Sequence, residues 1–119
     1  MAVTQEELVE RWRDSIREIL KRERVVIGAR DALRCAEYDV SAAEADALLD
    51  GSRSGANADE RRALVLRATA AFRAQVGATR HTLEHAEVDR DHALRAYELC
   101  RWMASSGHAP STDDEEIDR

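Results

Sequence analysis

From Asn57 to Gly107 the chain runs about fifty residues with no proline and a single interior glycine, Gly77, and this run constrains the fold more than anything else in the sequence. A glycine inside a helix costs about 1 kcal/mol without forbidding it. No capping residue with its box follows Gly77, so the run is expected to form one continuous helix over about residues 58–105. Such a helix would be roughly 70 Å long, and a segment of that length needs something alongside it to cover its apolar face.

The composition agrees. Alanine is the commonest residue, with 21 copies among 119 residues, and Arg outnumbers Lys 17 to 1, whereas aromatic residues make up only 4%. Ala, Arg and Glu favour helix, and the residues that strands need are few, so an all-α chain is expected. A chain of 119 residues holds one domain, assigned to residues 1–107. The Arg and Ala bias suggests a GC-rich bacterial source.

Three capping patterns, each an N-cap residue followed three positions later by Glu, mark helix starts: Thr4 with Glu7, Ser41 with Glu44, and Asn57 with Glu60. They imply a helix over about residues 5–36, a short helix over about 42–50 ending at Gly51, and the long helix after the loop Gly51–Gly55. The architecture expected is a long helical hairpin or small bundle with coiled-coil character. Its core is assigned to Trp12, Ile16, Ile19 and Val26 against Phe72, Val76, Leu83, Leu94 and Tyr97. On a 100° wheel Val65, Phe72, Val76, Leu83, Leu94 and Tyr97 fall within about 60° of one another. Residues 108–119 hold the only proline and Asp113, Asp114, Glu115, Glu116 and Asp118 against Arg119, and read as a disordered acidic tail.

The opposite face of the long helix is half apolar. Val88, Leu99 and Met103 lie there with Ala70, Ala74 and Ala78, and Trp102 stands beside them. Val88, Leu99, Trp102 and Met103 are therefore the candidate partner-interface residues, since a long helix apolar on two sides is usually sandwiched and Trp is enriched at binding hot spots. A protein partner, most simply a second copy in a homodimer, follows from the thin core.

His81, His85, Asp89 and His92 share that rear face at spacings that place them on successive turns. They are read as solvated or interface histidines, with no metal and no cofactor assigned. Glu6, Glu7 and Glu10 resemble in spacing the carboxylate cluster with which all-α nucleotide pyrophosphohydrolases hold Mg²⁺, which would imply a Mg²⁺-dependent nucleotide hydrolase. Glu84, Glu87, Asp89 and Asp91 do not form the Glu-x-x-Asp pair that such a site needs. First-turn acids also favour the helix dipole, so the chain is not read as an enzyme.

The stretch from Val26 to Leu49, through Val40-Ser41, Glu44-Ala45 and Leu48-Leu49, resembles a helix-turn-helix and the core of the ANTAR RNA-binding domain. The resemblance implies a DNA- or RNA-binding regulator using the turn within residues 36–49. Residues 42–50, however, carry Glu44, Asp46 and Asp50 and no basic side chain, and an acidic chain lacks the phosphate attraction that dominates nucleic-acid affinity. Nucleic acid is therefore not the expected partner. Cys35 and Cys100 lack ligand spacing, no apolar run could span a bilayer, and a cytoplasmic location is expected. The reading that remains is a non-enzymatic, self-associating helical interaction protein.

Overall fold

A computed structural model describes residues 2–106. The chain is all-α: two long helices form a hairpin, 93% of the described residues are helical, and no strand occurs among them. Helix α1 spans Gln5–Arg53 and helix α2 spans Ala58–Ser106, each 49 residues long. The tail read at residues 108–119 lies outside the described residues.

Two of the three capping patterns start helices. Thr4 N donates to the Glu7 carboxylate at 3.0 Å while Glu7 N donates to Thr4 Oγ1 at 3.1 Å. Asn57 and Glu60 make the same exchange at 2.9 and 2.8 Å. Each box satisfies two backbone donors that the first turn of a helix leaves orphaned.

The third pattern does not, and this corrects the expected boundaries. α1 does not end near residue 36, and no separate short helix forms over residues 42–50. Residues 37–41, Glu-Tyr-Asp-Val-Ser, hold neither Gly nor Pro, and Ala36, Val40 and Ala43 keep the inward-facing spacing without a break. Inside a continuous helix the N–H groups after Ser41 are already bonded to the preceding turn, so there is nothing for a cap to satisfy.

Gly51 is not the stop signal either. Helix α1 closes two residues later through a pair of bonds, Ala56 N to Gly51 O at 2.9 Å and Gly55 N to Ser52 O at 3.2 Å. This is the Schellman arrangement, in which the residue after the cap takes a left-handed conformation. Gly55 supplies it, with φ of +77°. The connection between helices is therefore Ser54 to Asn57. Gly51 instead lies buried in the last turn of α1, where an added Cβ would meet Arg61 Cγ at 2.9 Å and Leu64 Cδ1 at 3.3 Å. α2 passes through Gly77 unbroken, as its neighbourhood predicts.

The described chain comprises two compact units, one formed by residues up to Val26 with those from Ala86 onward, the other by Ile27–His85. In both, the inward residues recur at alternating gaps of four and three, the heptad spacing of a coiled-coil seam. In the first unit they are Leu8, Trp12, Ser15, Ile19, Arg22 and Val26 on α1, and Ala86, Arg90, Ala93, Tyr97, Cys100 and Ala104 on α2. In the second they are Ala29, Leu33, Ala36, Val40, Ala43 and Ala47 on α1, and Val65, Thr69, Phe72, Val76, Thr79 and Leu83 on α2.

All of these are buried or half-buried except Phe72, which is 41% exposed; Val26 and Thr69 are fully buried. Ile16, one position past Ser15 of the seam, is exposed too, at 38%. The core assignment is thus right for Val26 and partly right for Trp12, Ile19, Val76, Leu83, Leu94 and Tyr97, all half-buried, and wrong for Ile16 and Phe72.

Antiparallel pairing is visible in contacts within each unit. In the first, Ser15 Oγ meets Cys100 Sγ at 3.5 Å, and Glu23 faces Arg90 at 3.9 Å. In the second, Glu37 and Arg80 approach to 3.5 Å. Thr69 disposes of its hydroxyl locally, donating to Val65 O at 2.7 Å, so its burial costs no unpaired polar group. The Trp12 indole N–H is buried without a hydrogen-bond acceptor.

Candidate interaction surface

The outward face of α2 carries the apolar residues that the seam leaves over. Val88, Leu99 and Trp102 are 51%, 57% and 65% exposed. With His92 and Arg95 between them they follow the same alternation of four and three residues as the seam, and so form one stripe along the helix. Trp102 therefore stands in solvent rather than capping the end of the helix pair. Met103 does not belong to the stripe: it is half-buried, one residue further round the helix. Three of the four interface candidates thus share an exposed face, and the fourth turns partly inward.

Charge is arranged about the midpoint of this stripe. Arg95 lies seven residues from both Val88 and Trp102, with Asp91 and Glu98 within one turn on either side. Asp91 is also bonded to Arg90 Nε at 3.3 Å. Near the end of α2, Ser105 and Ser106 donate their hydroxyls back to the Trp102 carbonyl at 3.1 and 2.6 Å.

On the same helix, in the other unit, His81 and His85 stand together. Their Nε2 atoms are 3.1 Å apart, the ring centroids 4.4 Å, and the ring planes are inclined by 79°. Asp89 and His92 are exposed, and no cluster of three or more His, Cys, Asp or Glu side chains that could hold a metal occurs among the described residues.

The two rival sites look different in three dimensions. Glu7 is engaged in the α1 cap, and Glu10 pairs with Arg13 at 3.7 Å; Glu6 and Glu10 line a shallow hollow with Gln5, Val9 and Arg13. No second acidic pair faces them in a three-member cluster among the described residues. The turn on which the helix-turn-helix and ANTAR resemblance depends does not form, because Val40 and Ser41 lie in mid-helix. Glu44 and Asp46 are exposed there, as they would be on any solvated face.

One feature escaped the sequence reading. A groove of about 350 Å³ in the second unit is lined by Glu37 and Val40 from α1 and by Arg73, Val76, Gly77 and Arg80 from α2. Its signal was the missing side chain at Gly77, where an added Cβ would meet nothing within 4 Å. Read along one helix, that glycine is only a weak point; placed beside a second helix, it opens space.

No protein-family model, curated protein or solved structure matches this chain. Among the described residues no helix is long and apolar enough to cross a membrane.

Proposed function

We propose that this chain is a non-enzymatic protein-interaction module, a small adaptor, assembly subunit or regulator, that pairs with a second copy of itself through the outer face of α2. The observation that carries the reading is the exposed stripe Val88, Leu99 and Trp102. Burying a Val or Leu side chain fully is worth about 1.5–3 kcal/mol, and tryptophan is the residue type most enriched at binding hot spots.

Two physical arguments favour a second copy as the occupant. Among the described residues six of the eight buried hydrophobic residues are alanine, so each chain buries little apolar area for its length and gains from further burial. A two-fold pairing also uses one patch twice. Centred on Arg95, it sets each arginine within reach of Asp91 and Glu98 of the other copy, and so converts like-charge repulsion into complementary pairs.

Light scattering at high micromolar concentration tests this. The wild type is expected to have the mass of a dimer, and Val88→Glu with Leu99→Glu to be monomeric with its helical circular dichroism retained. A monomeric wild type, or a double variant that stays dimeric, would sink the proposal.

A further inference from the structure

Two imidazoles four residues apart on a helix lie on adjacent turns of one face, and the backbone holds their roots in place. His81 and His85 go further, for their Nε2 atoms approach to 3.1 Å. A straight N–H···N hydrogen bond would separate the ring centroids by the nitrogen spacing plus roughly one ring diameter. The centroids are only 4.4 Å apart and the ring planes are inclined by 79°, so the rings meet edge to face rather than end to end. The two Nε2 atoms lie within hydrogen-bond distance of each other, and the same closeness lets both reach one ion.

We infer that His81 and His85 form a bidentate site for a divalent transition-metal ion of the zinc type, bound through both Nε2 atoms on the solvent face of α2. The distance fits. Zinc lies 2.0–2.1 Å from imidazole nitrogen, so two nitrogens 3.1 Å apart subtend roughly 95–102° at the ion, between octahedral and tetrahedral angles. Each ring binds in its neutral form with the proton on Nδ1. Exposure of both rings lets water satisfy those Nδ1–H groups and fill the open coordination positions.

The ligand type sets the class of ion. Imidazole suits Zn²⁺, Ni²⁺ and Cu²⁺, whereas Mg²⁺ and Ca²⁺ require oxygen. With no third His, Cys, Asp or Glu joining the pair among the described residues, the ion is exchangeable rather than a structural staple. The site owes nothing to self-association, since both ligands come from one helix.

Calorimetric titration of the full-length, tag-free chain with Zn²⁺ tests the inference, with helical circular dichroism recorded for every variant. One ion per chain is expected, with His81→Ala and His85→Ala each weakening binding at least tenfold and His92→Ala leaving it unchanged. Mg²⁺ should give no binding heat. Zn²⁺ should also raise the thermal midpoint of the wild type but not of the His81→Ala/His85→Ala double variant, because an ion that binds only the folded helix stabilises it. Absence of binding at millimolar Zn²⁺, equal losses in His92→Ala, or equal binding of Mg²⁺ would overturn it.

Discussion

The two units solve one packing problem with opposite assignments. In the unit that pairs residues up to Val26 with those from Ala86 onward, α1 supplies most of the apolar bulk through Leu8, Trp12, Ile19 and Val26, while four of the six α2 positions are small, Ala86, Ala93, Cys100 and Ala104, with Arg90 and Tyr97 between them. In the unit Ile27–His85 the roles exchange. There α1 is the smaller partner, with Ala29, Ala36, Ala43 and Ala47 around Leu33 and Val40, and α2 carries Val65, Val76 and Leu83. Neither helix is the core helix throughout; what each unit needs is a large residue set opposed to a small one, so that two backbones can approach without voids.

The most direct way to break this comparison is to enlarge the small side of each unit. Ala36→Leu and Ala93→Leu introduce a bulky side chain at positions only 4% and 8% exposed, one on each helix. Each is expected to destabilise by about 1–3 kcal/mol, the usual cost of overpacking. Urea unfolding of the two variants would measure it. If either accepted Leu without loss, opposed residue size would not be what holds that unit together.

A smaller effect of opposite sign separates the glycines. Gly28→Ala and Gly77→Ala add a methyl group with nothing within 4 Å and should each stabilise the chain by about 0.5–1 kcal/mol through helix propensity. Gly51→Ala should gain less or nothing, because its Cβ would press on Arg61 and Leu64 and they would have to shift. Thermal midpoints of the three single variants give the order. A Gly51 variant as stabilised as the other two would mean that the last turn of α1 is looser than its buried glycine implies.

The smallest effect concerns the polar layer of the first unit. The Arg90 side chain is 20% exposed and lies 3.9 Å from Glu23, itself 41% exposed. Glu23→Gln should cost less than about 1 kcal/mol, and high salt should narrow the difference from wild type, since a partly solvated ion pair is screened. Unfolding at low and high ionic strength checks this; a loss of several kcal/mol that salt did not alter would place the pair in the energetic core of its unit.

The fold class was legible because capping and glycine chemistry are local. Thr4 with Glu7 and Asn57 with Glu60 announce helix starts in the sequence and make their bonds in the structure. Ser41 with Glu44 shows the limit of that signal, since the same residues occur in mid-helix with no free donors to cap. The core was only half legible. A 100° wheel follows the large aliphatics of a straight helix, whereas a seven-residue repeat drifts about 20° per heptad against it. Over the five heptads from Val65 to Cys100 the drift is about 100°, enough to hide the inward turn of Ala86, Ala93 and Ala104. Alanine carries little hydrophobic signal, so its burial becomes visible only when another helix lies against it. On the outer face, Val88, Leu99 and Trp102 were legible as large apolar residues turned away from the seam. The closeness of His81 and His85 was not, because spacing gives the shared face but not the side-chain rotamers.

The two cysteines give the chain a reporter and its own internal standard. Cys35 is exposed on α1, while Cys100 is half-buried in the seam with Ser15 Oγ 3.5 Å from its sulfur. An alkylating reagent reaches the first thiol directly but gains full access to the second only when helix segments separate, so the lag between the two labels times the opening of one unit. Mass spectrometry of the modified chain can therefore follow breathing in the native ensemble without adding a dye or replacing a residue.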